Sequence, residues 1–364
     1  MASPVFITND QVKSVLTWPL VHESIEEAFK SVVVRKDKSL KDQDQPNAQQ
    51  KAKVRTSTPN NGASLATMPG YIGNHKVTLE SGDRKTFQTL ACKLVTRSPN
   101  NIHLKPPIPR ILANILLFDE QTGQLECVMD GTLITAWRTA SASVVATKYL
   151  YFGRKNVNPS DGVTLALIGC GVQGESHALG MCTEFKVNEI RLLNRTASKA
   201  VELSAQLDTA RKTFVNPNPI VTVCPTIGEC FSDADIVVTS TQTEEPLVHL
   251  EMLKKDVHIN GEYRDLDSIQ ILIKNFLSAV GASVNSYSEL GQDIYDVAPV
   301  YIEYWAGAKA DLADLKTNIV CEVGEVILGS GKCPENGISV FHSMGMAVED
   351  AAVVQAVYQN LKKK

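Results

Sequence analysis

No stretch of this 364-residue chain approaches the ~20 consecutive apolar residues of a membrane-spanning helix. The N-terminus, Met1 to Val12, has no basic segment followed by an apolar run, so it does not read as a secretory signal. The eight cysteines are scattered without a CxxC pair and read as small buried hydrophobes in a reducing compartment. The seven histidines show no metal-ligand spacing. Charge of neither sign dominates: 36 Lys and Arg face 40 Asp and Glu, a net −4, which gives no reason to expect nucleic-acid or membrane-surface partners. The terminal Lys362-Lys363-Lys364 reads as a short solvated tail. What remains is a metal-free, cytoplasmic globular protein, 43% hydrophobic and long enough for two domains.

The most informative stretch runs from Thr164 to Thr196. An apolar run, Thr164 to Ile168, is followed at once by Gly169-Cys-Gly171-Val-Gln-Gly174, then a helix-compatible segment, then the apolar run Ile190 to Leu193. Strand, glycine turn, helix and strand in about 30 residues form the unit that binds a dinucleotide. Gly169 permits the tight turn, Gly171 lets backbone approach a pyrophosphate, and Gly174 lets helix pack on strand. Free N–H groups at the helix start favour the phosphates. An NAD site usually places an acid at the end of the second strand, to bond the ribose 2′-hydroxyl. Here Asn194-Arg195-Thr196 stands instead. Arg195 suits a 2′-phosphate, with Asn194 and Thr196 adding hydrogen bonds, so the cofactor reads as NADP(H). The plainer alternative is that Arg195 only begins the next helix on the surface.

Residues 5–35 read as a short strand and an amphipathic helix whose buried face is Val21, Ile25, Phe29 and Val32 to Val34. Lys36 to Lys53 reads as a solvated polar loop. Short strands are expected at Val54–Thr56, Ser64–Met68, Ala91–Thr96, Ile111–Asp119 and Leu125–Met129, with a turn at Thr122-Gly123, as an antiparallel meander. An Ala- and Ser-rich helix, Thr132 to Leu150, follows, and Pro159 to Gly162 links to the dinucleotide unit. Beyond it, Ala234–Thr241 reads as a strand ending in Thr239-Ser240-Thr241, with Thr243 close behind. Hydroxyls at that strand end can meet ribose and phosphate, or only cap a helix. Val257–Asn260 reads as another strand, and Ser339 onward as a turn and a final amphipathic helix returning to the first domain.

Several of these stretches occur together in one family. Val54-Arg55-Thr56, Ala66-Thr-Met68-Pro-Gly-Tyr71, Lys93-Leu-Val-Thr96, Leu116-Leu-Phe-Asp119 with Thr122-Gly123, Val128-Met-Asp-Gly131, Ile134-Thr-Ala136 with Arg138-Thr139, the glycine loop, Asn194-Arg-Thr196, Gly324-Glu-Val326 and Met344-Gly-Met-Ala-Val-Glu-Asp350 cover nearly the whole chain. On them the chain resembles the ornithine cyclodeaminase/μ-crystallin family, and Asn194-Arg195-Thr196 resembles its NADPH-using ketimine reductase branch. The resemblance implies an α/β fold. A Rossmann domain at 160–335 binds NADP(H), and a discontinuous α/β substrate-binding and dimerisation domain spans 1–155 and 336–364. It also implies a homodimer.

The resemblance places Arg55, Lys93 and Arg138 on the family's three basic catalytic positions. Arg55 and Arg138 suit a bidentate clamp on an α-carboxylate, and Lys93 suits the same carboxylate or donation of a proton to the substrate nitrogen. Each cation taken alone is an ordinary surface residue. Met68 and Ser283 are implied as further substrate contacts. Arg138, Thr139, Gly169, Gly171, Val172, Gln173, Gly174, Asn194, Arg195, Thr196, Thr239, Ser240, Thr241, Val280, Ser283 and Met344 are implied around the cofactor.

Two departures bear on the reaction. The family's Ala-Val-Gly-Ala string stands at Ala279–Ala282, so Gly261 to Ser278 reads as an insertion of about 18 residues. Ser283 stands where cyclodeaminases carry an Asp base, and a serine is a poor base at neutral pH. Ile111 also replaces a histidine of relatives. The expected activity is therefore NADPH-dependent reduction of a small, cyclic α-imino acid, giving an amino acid such as pipecolate or proline, rather than ornithine cyclodeamination. The alternatives are an opine-type dehydrogenase joining a keto acid to an amino acid, and a non-catalytic binder of NADPH or a small aromatic ligand.

Overall fold

Burial that largely alternates from residue to residue marks Ser64–Thr78 and Arg84–Arg97, the two longest strands among the described residues. A computed structural model describes residues 3–33, 47–51, 53–58, 62–241, 243, 245–262, 289–312 and 315–362. The chain divides into two units, Met1–Thr139 with Gly345–Lys364, and Ala140–Met344. These limits fall inside a helix and just after a strand, where the sequence reading placed them at 155–160 and 335–336.

The first unit begins with β1 (Val5–Ile7), α1 (Asn9–Lys13) and α2 (Trp18–Val32), followed by β2 (Asn47–Gln50) and β3 (Val54–Ser57). Then come β4 (Ser64–Thr78), β5 (Arg84–Arg97), β6 (Ile111–Phe118), β7 (Leu125–Asp130) and α3 (Thr132–Leu150). Among the described residues the sheet order is β1-β7-β6-β5-β4-β2, with β3 paired to β4. The expected meander is present in β4 to β7, and β1 adds a parallel edge on β7. Val21, Ile25 and Phe29 of α2 are buried as expected, but Val32 and Val33 are only half-buried because the helix ends at Val32. Val34 lies outside the described residues. The expected loop Lys36–Lys53 contains a strand, β2, whose polar side chains alternate in exposure at the sheet edge. The rest of it, apart from Lys51 and Lys53, lies outside the described residues.

The second unit runs β8 (Val163–Ile168), α4 (Val172–Glu184), β9 (Val187–Leu193), α5 (Ala197–Ala210), β10 (Ile220–Val223), α6 (Ile227–Phe231), β11 (Ile236–Thr239) and β12 (His258–Glu262). It continues through α7 (Gln292–Tyr295), β13 (Pro299–Ile302), α8 (Trp305–Asp311), β14 (Asn318–Glu322), α9 (Val323–Ile327) and β15 (Ser339–Ser343). Its parallel sheet has the order β10-β9-β8-β11-β12-β15-β13-β14. The order reverses between β8 and β11, the switch point at which doubly wound sheets bind ligands. The fold is thus the expected Rossmann-like α/β architecture. Apolar side chains on both faces of these strands form its two core layers. The C-terminal part of α3 is fastened to this unit by polar contacts. Ser143 meets His177 at 3.0 Å, Asn260 donates to Thr147 at 3.0 Å, and Arg154 donates to Leu150, Gly337 and Ser339.

The chain then returns to the first unit with α10 (Ala347–Leu361). Two expectations fail here. Ser339–Ser343 is a fully buried strand inside the sheet, not a turn, because Val340 and Phe341 pack on both faces. The final helix is buried almost all round rather than amphipathic, packed between α2 and strands β4 to β6. Of the proposed insertion Gly261–Ser278, Gly261 and Glu262 end strand β12, and the rest lies outside the described residues.

Candidate active site

In the second unit the glycine loop joins β8 to α4, and each glycine has its own physical reason. Gly169 has φ +100°, and a Cβ there would meet the Ser240 carbonyl oxygen at 2.4 Å. A Cβ on Gly174 would stand 1.9 Å from the Gly169 carbonyl oxygen. Gly171 differs: nothing lies within 4 Å of where its Cβ would be. The loop therefore offers open space beside the first turn of α4, whose cap residue supplies no side chain to the helix N–H groups. Exposed Val172 and half-buried Gln173 begin that turn. The Gln173 Oε1 and Thr239 Oγ1 atoms are buried with no partner among the described residues. The free helix N–H groups, the Thr239 hydroxyl and the clearance at Gly171 fit a pyrophosphate-bearing dinucleotide, while Gln173 Oε1 can only accept.

The residues expected around the cofactor divide into two groups. Asn194 is turned inward: its Oδ1 accepts from Cys170 N–H at 2.9 Å and its Nδ2 donates to the Thr196 carbonyl at 3.0 Å, so it braces the glycine loop. Arg195 and Thr196 are exposed, and Thr196 is the N-cap of α5 without making a side-chain capping bond. Ser240 donates its hydroxyl to the Gly169 carbonyl at 3.0 Å. Thr241 donates through N–H and hydroxyl to Glu289. Thr243 is bound to Glu245, with its hydroxyl donating to the carbonyl at 2.8 Å. These hydroxyls brace loops, and of the strand-end set only Thr239 keeps an unused oxygen. Met344 donates its N–H to Glu303, which also accepts from the Ser343 hydroxyl at 2.8 Å. Val280 and Ser283 lie outside the described residues.

In the first unit β5 and α3 bring two of the three expected cations together. Lys93 is 1% exposed and Arg138 8% exposed. Met68 stands directly opposite Lys93 in the β4–β5 register. Arg55, on β3, pairs with Ala66 and is half-buried. Thr139, the neighbour of Arg138, donates its hydroxyl to the Thr135 carbonyl at 3.0 Å. Its proton is therefore used inside the helix, and only the oxygen's accepting capacity remains. Ile111 is 45% exposed at the start of β6.

Two acids that sequence reasoning did not single out complete this cluster. Lys93 Nζ lies 2.9 Å and 2.7 Å from the two carboxylate oxygens of Asp350. Arg138 Nη1 lies 3.0 Å from Glu349, and Arg138 Nε 3.6 Å from Asp350. Both acids are in the first turn of α10 and are essentially unexposed. The signal available was the Glu349-Asp350 pair inside the Met344–Asp350 motif, which reads by itself as ordinary helix capping. Burial pulls the Lys93 ammonium down to about 8. Asp350 opposes that shift, while Arg138 and Lys53 reinforce it.

The turn before α10 is shaped to the arginine. Gly345 has φ +73°, and a Cβ there would stand 2.7 Å from Arg138 Nη1. Gly345→Ala is expected to strain the turn by about 1–2 kcal/mol and push the guanidinium aside. An anion held by Arg138 should bind less tightly while cofactor affinity holds. Steady-state kinetics beside a fluorescence cofactor titration separate the two effects.

The ornithine cyclodeaminase/mu-crystallin family model matches residues 11–266 and 271–364. The ketimine reductase mu-crystallin of Rattus norvegicus is 32% identical over 274 residues, 74% of this chain and 76% of that protein. The Δ1-pyrroline-2-carboxylate reductase of Bacillus thuringiensis subsp. konkukian is 31% identical over 287 residues, 75% of this chain and 78% of the relative. The structure of Thermococcus litoralis Δ1-pyrroline-2-carboxylate reductase, in complex with NADH and L-proline, shares the fold with a TM-score of 0.75 at 22% identity, covering 99% of this chain and 98% of that one. The glycine loop, the motifs on β3 to β7 and the family match over almost the entire length establish that this chain belongs to the ornithine cyclodeaminase/mu-crystallin family.

Proposed function

We propose that this protein is an NADPH-dependent reductase of small, cyclic α-imino acids, in which hydride adds to the C=N carbon and an amino acid such as proline or pipecolate results. The observation that carries the reading is the buried Lys93–Arg138 pair, drawn from β5 and α3 into one cluster in a chain whose relatives include imine reductases. Arg138 and Arg55 hold the substrate carboxylate by charge-assisted, bidentate hydrogen bonds. Lys93, held near neutral pKa, stays protonated enough at pH 7 to keep the imine nitrogen protonated, which makes the adjacent carbon electrophilic. A bound dihydronicotinamide supplies the hydride, and fixing both reactants supplies the orientation part of the rate.

Preference for NADPH is supported at the end of β9. No acid stands there to repel a 2′-phosphate, Asn194 is committed to the glycine loop, and exposed Arg195 with Thr196 begins α5. Arg195→Asp should weaken NADPH relative to NADH at least tenfold, about 1.4 kcal/mol.

The test of the reaction is NADPH oxidation with a panel of cyclic imino acids. Turnover in the wild type, lost in Arg55→Ala with NADPH affinity retained, supports the reading. Turnover only with a keto acid plus an amine would replace it with an opine-type dehydrogenase. Cofactor binding without any turnover would favour a binding protein.

We further propose a homodimer formed through the first unit's sheet. By alternation, Leu65, Leu90, Leu94, Leu112, Leu116 and Phe118 lie on the face opposite α2 and α10, and none is fully buried. A contiguous apolar face of this kind marks an interaction surface. Light scattering measures the mass directly.

A further inference from the structure

We propose that Asp350 is a positioning residue of the substrate site: its carboxylate holds Lys93 and Arg138 at a fixed separation and sets the proton state of Lys93, while Glu349 fixes Arg138 alone. The proposal rests on the imino-acid reading above for its substrate, and on the geometry of the first unit for its mechanism.

The bland account of two acids in the first turn of a helix is capping and favourable interaction with the helix dipole. Glu349 does cap, since it accepts the Met346 N–H at 3.0 Å, and it also meets Arg138 Nη1 at 3.0 Å. Asp350 is different. It touches Lys93 through both oxygens, at 2.9 Å and 2.7 Å, and reaches Arg138 Nε at 3.6 Å. Lys93 and Asp350 are each only 1% exposed. A buried carboxylate against a buried ammonium is not needed for folding, because apolar residues of similar volume serve stability as well or better. Removing one partner, by contrast, leaves an uncompensated charge.

The placement is also determined from several elements at once. Lys93 lies on the inward face of β5, the face that α10 covers. Arg138 comes from α3. The start of α10 is pinned by Gln50, whose Oε1 accepts the Val348 N–H at 3.2 Å, and by Gly70, where a Cβ would come within 2.9 Å of Ala347. The charged groups bearing on Lys93 are Asp350 from α10, Arg138 from α3 and Lys53 from the segment before β3. Asp350 alone among these is negative, so it alone opposes burial and the two cations in keeping the ammonium charged. A carboxylate substrate arriving at Arg138 and Lys93 therefore finds them already oriented, with their side-chain freedom removed before binding.

The test compares Asp350→Asn with Glu349→Gln by pH profiles of kcat and KM and by NADPH titration. Asp350→Asn should raise KM for the imino acid about tenfold or more. It should also move the basic limb of kcat/KM down by about one pH unit or more, as Lys93 loses its counterion. Glu349→Gln should raise KM but leave that limb in place, since Glu349 touches Arg138 and not Lys93. NADPH affinity should hold in both. A limb that stays put in Asp350→Asn, or moves equally in Glu349→Gln, overturns the proposal. If Asp350→Asn does not fold, Asp350→Glu carries the test: charge is kept and geometry changed, so KM must rise with the limb unmoved. A readout without turnover keeps the two readings apart. The 13Cε resonance of Lys93, assigned by comparison with Lys93→Arg, should titrate at lower pH in Asp350→Asn than in the wild type. If that shift occurs while no imino acid is reduced, the reductase reading fails and this one stands. If imino acids are reduced but the resonance is indifferent to Asp350, the reverse holds.

Discussion

Gly174→Ala should abolish nicotinamide-dinucleotide binding and destabilise the second unit, whereas Gly171→Ala should weaken binding sharply and leave stability intact. The two glycines are three residues apart, but their surroundings differ. At Gly174 an added Cβ would lie 1.9 Å from the Gly169 carbonyl oxygen, 3.0 Å from its carbonyl carbon and 3.0 Å from Leu167 Cδ2. Two of those atoms are backbone, so α4 has to lift away from β8 to make room. Overpacking of this kind costs on the order of 3 kcal/mol, and it displaces the N–H groups of the first helical turn. At Gly171 the added methyl meets nothing, so the melting temperature should stay within about 2 °C of the wild type. That methyl instead occupies the space a pyrophosphate needs, and affinity should fall about a hundredfold or more. Energy transfer from tryptophan to NADPH reads binding, and calorimetry reads stability. Equal melting temperatures for the two variants would show that helix–strand contact is not what Gly174 provides.

Acidification should unfold the protein well before its carboxylates are titrated. Four histidines are buried and held below the ordinary value of 6.5 chiefly by burial. His75, His177 and His342 lie at about 4 and His258 at about 3, with Arg154 adding to the effect at His258. Their hydrogen bonds are those of neutral rings. His177 Nδ1 lies 2.9 Å from the Gln173 carbonyl, so that nitrogen donates, and Nε2 accepts from Ser143. His258 meets Ser339 at 2.9 Å, and His342 meets Tyr295 at 2.6 Å. The direction follows from linkage. A base whose folded pKa is depressed binds fewer protons in the native than in the unfolded state between about pH 6.5 and its folded value. Stability is therefore unaffected above that value, declines as pH falls through it, and stops declining near the folded values. At pH 5 each histidine should remove about 2 kcal/mol, and the three terms that fall in the second unit rival the whole stability of an ordinary domain. Urea midpoints at pH 7.5, 6 and 5 measure the slope. Replacing His258 with glutamine should flatten it by one histidine's share. A midpoint independent of pH between 7.5 and 5 would mean that these rings are not neutral and buried in the native state.

Local pattern made the glycine loop legible before any coordinates. A turn, a close approach and a helix packing contact each impose a residue type at a fixed spacing, and all three requirements are satisfied within six residues. The meander and α3 were legible for a similar reason, since period-two alternation and an unbroken helix-compatible run are local properties. β15 was not: Ser339–Ser343 is short, with only Val340 and Phe341 apolar, and its neighbours β12 and β13 make it a strand. β2 was missed because its side chains are polar at a sheet edge, where pairing rather than hydrophobicity forms the strand. The hydroxyls after β11 were legible as a cluster but not in their use, because Ser240 and Thr241 turned to loop partners 71 and 48 residues away.

The sequence by itself determined the family and the α/β architecture and singled out the glycine loop and three cations as candidates, because each depends on residues close together in the chain or on a motif. Only the tertiary structure decided what those cations face. Lys93 and Asp350 are separated by 257 residues and Arg138 and Glu349 by 211, so no local rule connects them. The pairs exist because α10, which follows β15 in the chain, covers the inward face of β5, where burial compels each charge to find a partner.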